Sequence, residues 1–292
     1  MVKPVFSESR WRLIIAGCLA LLCVAALFTM APVRRAAADF LGVFRVRKFA
    51  VIPINPEQAG RLESLAELLD EGAFGKPIVV REEGQPQPVA DAAEASALAG
   101  FPVRIPTALP ANAYLSSFEV ARGPALHYEM DRATLQALLT AAEVNDATLP
   151  DVERLTIDLD LPTLVTQSYR LATARLTIVQ APSPEVLLTP DVDLVAFGEL
   201  GLRALGLPEE EARRMARHID WATTVVIPLP TDVAQFREIS IDDTEGLLLE
   251  ASPHEDGGYD RMLIWQRDGI VYAVSGRYLD SKLLVEIADS LR

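Results

Sequence analysis

The sequence predicts an α+β fold, a mainly antiparallel sheet with helices packed on one side, preceded by one N-terminal transmembrane helix. Three observations carry this. Residues 13–33 (LIIAGCLALLCVAALFTMAPV) contain no charge. Residues 223–276 fall into short β-rich runs broken by turn residues. Segments that open on Asn55-Pro56, Asp131, Pro208 and Asp280 read instead as helices, most with apolar residues at helical spacing. Half of the 292 residues are hydrophobic, which rules out wholesale disorder, and the 20 Pro and 16 Gly follow no repeat.

The apolar run comes first along the chain. About 20 apolar residues at a rise of about 1.5 Å cover the roughly 30 Å hydrocarbon core of a bilayer. Arg10 and Arg12 close one end of the run and Arg34 and Arg35 the other, so a spanning helix is expected at 13–33 rather than a buried soluble one. Ala36-Ala37-Ala38 offers a cleavage site. A signal peptide, however, would have a shorter apolar core, and Arg34-Arg35 would have to cross the membrane. An uncleaved anchor with a short tail at 1–12 is the better reading. Basic residues number three before the span (Lys3, Arg10, Arg12) and five after it (Arg34, Arg35, Arg45, Arg47, Lys48). Counted literally, that places the body in the cytoplasm. Both cysteines, Cys18 and Cys23, lie in the span, so the body has neither a disulfide framework nor a cysteine zinc site.

Charge separates the two parts. The first 38 residues carry five basic side chains and one acidic, a net +4, and the other 254 carry 22 basic and 40 acidic, a net −18. A body this acidic repels extended phosphate arrays, which argues against nucleic acid as a partner.

Past the span, residues 39–98 read as a juxtamembrane α/β segment and linker. A strand is expected over 46–54. A helix then starts with Asn55 as N-cap and Pro56 at its first position, carries Ala59, Leu62, Leu65 and Leu69 on one face, and ends near Gly72. Residues 77–81 form a short strand, and 84–99 a linker with a short helix. The main α+β domain spans 99–292. Residues 101–110 (FPVRIPTALP) hold three prolines and should run extended. Strands are expected at 114–121 and 125–130, with two or three further strands over 154–160 and 165–180. Asp131 can cap a helix bearing Leu135, Leu138, Leu139 and Ala142. A helix pair follows, the first opened by Thr189-Pro190 and stopped by Gly206, the second opened by Pro208. Five strands (223–229, 235–241, 245–251, 260–267, 270–276) and a helix from Asp280 complete the chain. Asp268-Gly269 is a two-residue hairpin signal that sets Trp265 opposite Tyr272 and Leu263 opposite Val274.

No chemistry-bearing constellation emerges, and no catalytic, cofactor-binding or metal residue is assigned. His127, His218 and His254 have no metal-ligand spacing, and His218 reads as a helix-end residue. Asp242-Asp243-Glu245 and Glu255-Asp256-Asp260 could meet a hard cation, but neither fits a Ca²⁺ loop and both suit strand turns. Nucleophile elbows and phosphate loops are missing. Trp221 and Trp265 sit in apolar contexts that suit a core.

Three stretches carry a family resemblance: 99–110 (AGFPVRIPTALP), 221–230 (WATTVVIPLP), and 263–276 (LIWQRDGIVYAVSG) continuing to Leu279 and 287–291 (IADSL). Together they resemble an uncharacterised bacterial domain family of membrane-anchored, anti-sigma-factor-like proteins, over about residues 99–292. The resemblance implies a single-pass protein of the cell membrane whose C-terminal domain lies outside the cytoplasm. Only 12 residues precede the span, which leaves no room for a sigma-binding module. The expected function is therefore an extracytoplasmic binding domain, regulatory or sensory, acting through a protein partner and not as an enzyme. The alternative is a lipid- or lipoprotein-binding carrier with an apolar cavity.

Overall fold

A computed structural model describes residues 48–292 apart from 71, 74, 147–148, 150–152, 172–173, 189–191, 232–233 and 252–259. The expected span at 13–33, His254, Glu255, Asp256 and the Thr189-Pro190 helix start lie outside the described residues. No helix among the described residues is long and apolar enough to cross a membrane.

The described chain is a mostly antiparallel α+β structure with three sheets. The largest has eight strands in the order β11-β12-β13-β14-β8-β7-β4-β3. They are β3 (Gln87–Pro88), β4 (Ala113–Ala121), β7 (Leu164–Leu171), β8 (Ala174–Pro182), β11 (Ala234–Ile241), β12 (Thr244–Ala251), β13 (Asp260–Arg267) and β14 (Ile270–Arg277). A four-stranded sheet runs β2-β5-β6-β9, from β2 (Ile78–Arg81), β5 (Ala125–Asp131), β6 (Arg154–Asp160) and β9 (Glu185–Leu188). The third sheet is a parallel pair, β1 (Lys48–Ile54) with β10 (Thr224–Pro230). Strands before residue 99 therefore pair with strands after it: β1 with β10, β2 with β5, and β3 with β4.

Local signals place most of the helices. Asn55 and Gln58 cap α1 (Pro56–Asp70) reciprocally, each side chain accepting from the other's backbone N–H, at 2.8 and 2.9 Å. Gln58 also donates to the Gly206 carbonyl at 2.8 Å, which ties α1 to the end of α4 (Leu194–Ala204). Asp91, Asp131, Asp193 and Asp280 cap α2 (Ala92–Ala99), α3 (Arg132–Ala141), α4 and α6 (Ser281–Asp289). Pro208 precedes α5 (Glu209–Ala216), where three acids lead and two arginines close. The β13–β14 turn has positive φ at Asp268 (55°) and Gly269 (81°), and the pairing sets Trp265 against Tyr272 and Leu263 against Val274.

The largest core lies between the inner face of the four-stranded sheet (Leu155, Ile157, Leu159, Val186), the β1–β10 pair and helices α1, α3, α4 and α5. It also takes Leu247 and Leu249 from the near face of β12. The other face of the eight-stranded sheet carries Leu176, Ile178, Leu248, Leu263, Trp265, Tyr272 and Val274, under Leu284, Ile287 and Ala288 of α6. Further along that same face, Phe118, Val120 and Val165 meet Ala95 of α2 together with Phe101 and Val103.

Those last two clusters meet at an extended, proline-rich strap. Gln167 and Gln180 are fully buried on neighbouring strands, opposite Ile178 and Val165 respectively. Both donate to the Arg104 carbonyl, at 2.8 and 2.7 Å, and the Gln180 side-chain oxygen Oε1 accepts from the Arg104 N–H at 2.9 Å. The Tyr169 hydroxyl donates to Gln167 at 2.8 Å, and burial pushes that phenol up to about 12. Downstream, Ile105 exchanges two backbone bonds with Arg292, both 3.2 Å, and the Thr107 N–H donates to the Ser290 carbonyl. The strap therefore fastens the C-terminus over the sheet.

Gln180→Leu removes the acceptor of the Arg104 N–H in a partly buried site. An unsatisfied buried donor costs about 1–3 kcal/mol, so the urea midpoint should fall with an unchanged slope. An unchanged midpoint would mean that the Gln180 bonds contribute nothing to holding the strap.

Candidate interaction surface

Arg81 builds this surface. It ends β2, whose four residues form one edge of the small sheet. Its Nε donates to the Gly123 carbonyl at 2.9 Å and its Nη2 to the Leu161 carbonyl at 3.0 Å, and the guanidinium pairs with Asp160 of β6. The backbone comes so close here that a Cβ on Gly123 would sit 2.5 Å from the Leu161 carbonyl oxygen. A strand this short would otherwise have little to hold it, because its apolar side chains are outside. Ile78, Val79 and Val80 are 60%, 52% and 67% exposed. The register shifts between Val79 and Arg81, so Val80 is the extra residue of a bulge. Open edges are usually blunted by charge or proline. This one presents three β-branched hydrophobes.

Register extends the surface across the sheet. Ile78 lies opposite His127, His127 opposite Asp158, and Asp158 opposite Leu187, so all four point to the same outer face. Leu187 is 43% exposed. His127 is half-buried between two carboxylates, with Nδ1 at 2.6 Å from Asp158 and Nε2 at 3.3 Å from Glu129. Arg154 donates to the second oxygen of Glu129 at 2.9 Å. The hydrogen bond to Asp158, and after it the one to Glu129, holds the imidazole pKa above its ordinary 6.5. The face is thus a His–carboxylate strip flanked by exposed Ile78 and Leu187.

The carboxylates of the strip engage opposite edges of one imidazole, an arrangement that stabilises imidazolium and does not converge on a common point. Among the described residues no group of three or more His, Cys, Asp or Glu side chains is placed to hold a metal.

The other residues marked in the sequence are dispersed. His218 is exposed just past α5, with Nδ1 2.7 Å from the Arg214 carbonyl. Asp242 and Asp243 form the β11–β12 turn with φ of 45° and 62°; Asp242 pairs with Arg267, and its N–H donates to Asp289 at 3.0 Å. Glu245 sits opposite Ser240 on the paired strand, and Asp260 starts β13 at 3.8 Å from Arg277. Trp221 is buried, donates to the Ala216 carbonyl at 2.8 Å, and packs so closely on Gly198 that a Cβ there would fall 2.2 Å from its ring. Trp265 is buried and stacks on Tyr272 at 5.1 Å. A shallow cleft of about 480 Å³ lies between α1 and the end of α3, lined by Glu57, Arg61, Ser64, Leu65, Leu68 and Glu143 among others. Arg61 bridges Glu57 and Glu143 across it.

The sequence reading did not find Arg81, Asp158 or the exposure of β2. His127 and Asp158 are 31 positions apart, and only the β5–β6 register brings them together. Comparison with protein-family models, curated proteins and solved structures finds no match to this chain.

The raised His127 pKa makes a signed prediction. Its stabilisation is complete below pH 6.5, the unfolded value, and is lost as pH rises through the higher folded value. The urea midpoint of the wild type should therefore exceed that of His127→Gln at acid pH, and the gap should close as pH climbs above 6.5. A gap independent of pH would show that the imidazolium–carboxylate contacts contribute nothing.

Proposed function

We propose that this protein is a single-pass, membrane-anchored protein whose binding domain lies outside the cytoplasm and acts through a protein partner docked on the β2 edge. One observation carries the docking site: three consecutive β-branched residues stand exposed on an edge strand that Arg81 holds in place. Peptide strands add to such edges, with main-chain hydrogen bonds giving affinity and alternate side chains giving specificity. The His127–Asp158–Glu129 strip beside it supplies a polar border, the usual frame of an apolar contact.

The anchor rests on the uncharged run at 13–33, and the outward orientation on the resemblance of residues 99–292. The reading is of a binding rather than a catalytic domain, because the histidine–carboxylate cluster lies on an outer sheet face with its carboxylates on opposite edges of one imidazole. The carrier reading asks for an apolar cavity, and the cleft between α1 and α3 instead has Arg61 and two glutamates in its lining.

Two measurements test this. Protease added to intact cells should digest a C-terminally tagged full chain, and digestion only after lysis would place the body in the cytoplasm and overturn the orientation. A photo-crosslinking residue at position 80 should trap a discrete adduct in cells that Val79→Lys reduces about tenfold, the loss typical of a central interface residue. Equal trapping from a position on the exposed side of α1, such as 63, would overturn docking at β2.

A further inference from the structure

The eight-stranded sheet carries a second outward surface, on the face that α6 leaves uncovered. Across four neighbouring strands the register aligns Tyr114 with Arg170, Arg170 with Arg175, and Arg175 with Arg277. Directly paired residues share a face, so three guanidinium groups stand side by side, on strands spaced about 4.8 Å apart. All three arginines are exposed. Like charges placed opposite each other destabilise a sheet. At one end Asp260 lies opposite Arg277 at 3.8 Å and offers relief. Among the described residues Arg170 and Arg175 have no carboxylate partner. Tyr114 (59% exposed) flanks one end, and Tyr278 (45% exposed) lies 5.3 Å from the Arg277 guanidinium at the other.

The next row inward is made of hydroxyls. Ser117 pairs with Ser168, Ser168 with Thr177, and Thr177 with Ser275, all half-exposed on the same face. The surface is thus a basic row backed by a row of neutral hydrogen-bonding groups, on a body whose net charge is −18.

We propose that the Arg170–Arg175–Arg277 row and the hydroxyl row behind it form a docking site for an extended, acidic segment of a protein partner. Planar guanidinium forks match carboxylates two bonds at a time, and hydroxyls can complete the shell. The row spans about two strand spacings, close to one Debye length at physiological salt, about 8 Å. A short acidic stretch therefore feels the row. A membrane surface or a nucleic acid would also meet the acidic body around it. Arginine and tyrosine are the residue types that most often dominate interface energetics. This site is on a different sheet from β2, so it stands or falls independently of docking there.

The test uses the full chain in detergent micelles and a fluorescein-labelled decaglutamate peptide, read by anisotropy at low salt. The wild type should bind it in preference to a decalysine peptide, and binding should weaken as salt rises. The double variant Arg170→Gln/Arg175→Gln should bind about tenfold more weakly, the loss expected on removing charged interface anchors. Arg214→Gln/Arg217→Gln near the end of α5 removes the same charge elsewhere and should leave binding unchanged. Should the glutamine pair fail to fold, Arg170→Lys/Arg175→Lys keeps the charge but loses the planar forks, and it should still bind more weakly than wild type. Failure of the wild type to bind decaglutamate, or equal binding by both arginine variants, would overturn the proposal. Tighter arginine-dependent binding to phosphatidylglycerol vesicles or to a DNA oligomer would overturn the assignment to an acidic polypeptide.

Discussion

The three hydrogen bonds that fix both polar groups of the Arg104 backbone hold much of this structure in place. A strap with prolines at 102, 106 and 110 cannot form a continuous ladder, because proline lacks a donor. It nevertheless crosses a sheet face that is apolar on either side, where an unpaired backbone group is costly. Gln167 and Gln180 resolve the conflict by bringing side-chain amides to the strap. Once Arg104 is fixed, Ile105 and Thr107 are in place to pair with the last residues of the chain, and α6 is held over Trp265 and Tyr272. The two glutamines are the point where two apolar clusters become one covered face.

That covering sets what the remaining surfaces can be. With α2, the strap and α6 on one face, the strands β7, β8 and β14 turn their alternate residues the other way. At β12 and β13 that second face is also buried, against the core that includes β1 and β10, so Leu247, Leu249, Met262 and Ile264 are apolar there. Beyond the reach of that core the same face becomes serine, threonine and arginine. One sheet therefore passes from doubly buried to half-open along its width, and the side-chain composition follows the change strand by strand.

The local punctuation of this fold was legible in the sequence; its pairings were not. Asn55 with Pro56, the aspartate caps at 131 and 280, Gly206 and the Asp268-Gly269 turn act within a few residues, and each lies where its chemistry predicts. What escaped the reading depends on partners far along the chain. The parallel β1–β10 pair joins residues more than 170 positions apart. β3 is two residues of a proline-containing stretch that pattern alone assigns to a linker, and β9 is only four residues long. Asp193, which caps α4, was passed over for the more conspicuous Thr189-Pro190. The candidate surfaces escaped for the same reason, since β2, His127 with Asp158, and the arginine row are all products of register.

Both surfaces also break a local rule. An edge strand should be blunted, yet β2 exposes Ile78, Val79 and Val80; like charges should not face each other, yet Arg170 and Arg175 do. Each violation is held in place by something rigid: Arg81 and its bonds at the end of β2, and an eight-stranded sheet beneath the arginines. In a chain whose caps, turns and cores are otherwise consistent, stabilising so exposed a hydrophobic edge and so repulsive a row has no folding rationale. The proposed partners, one covering the first and one neutralising the second, would remove both penalties.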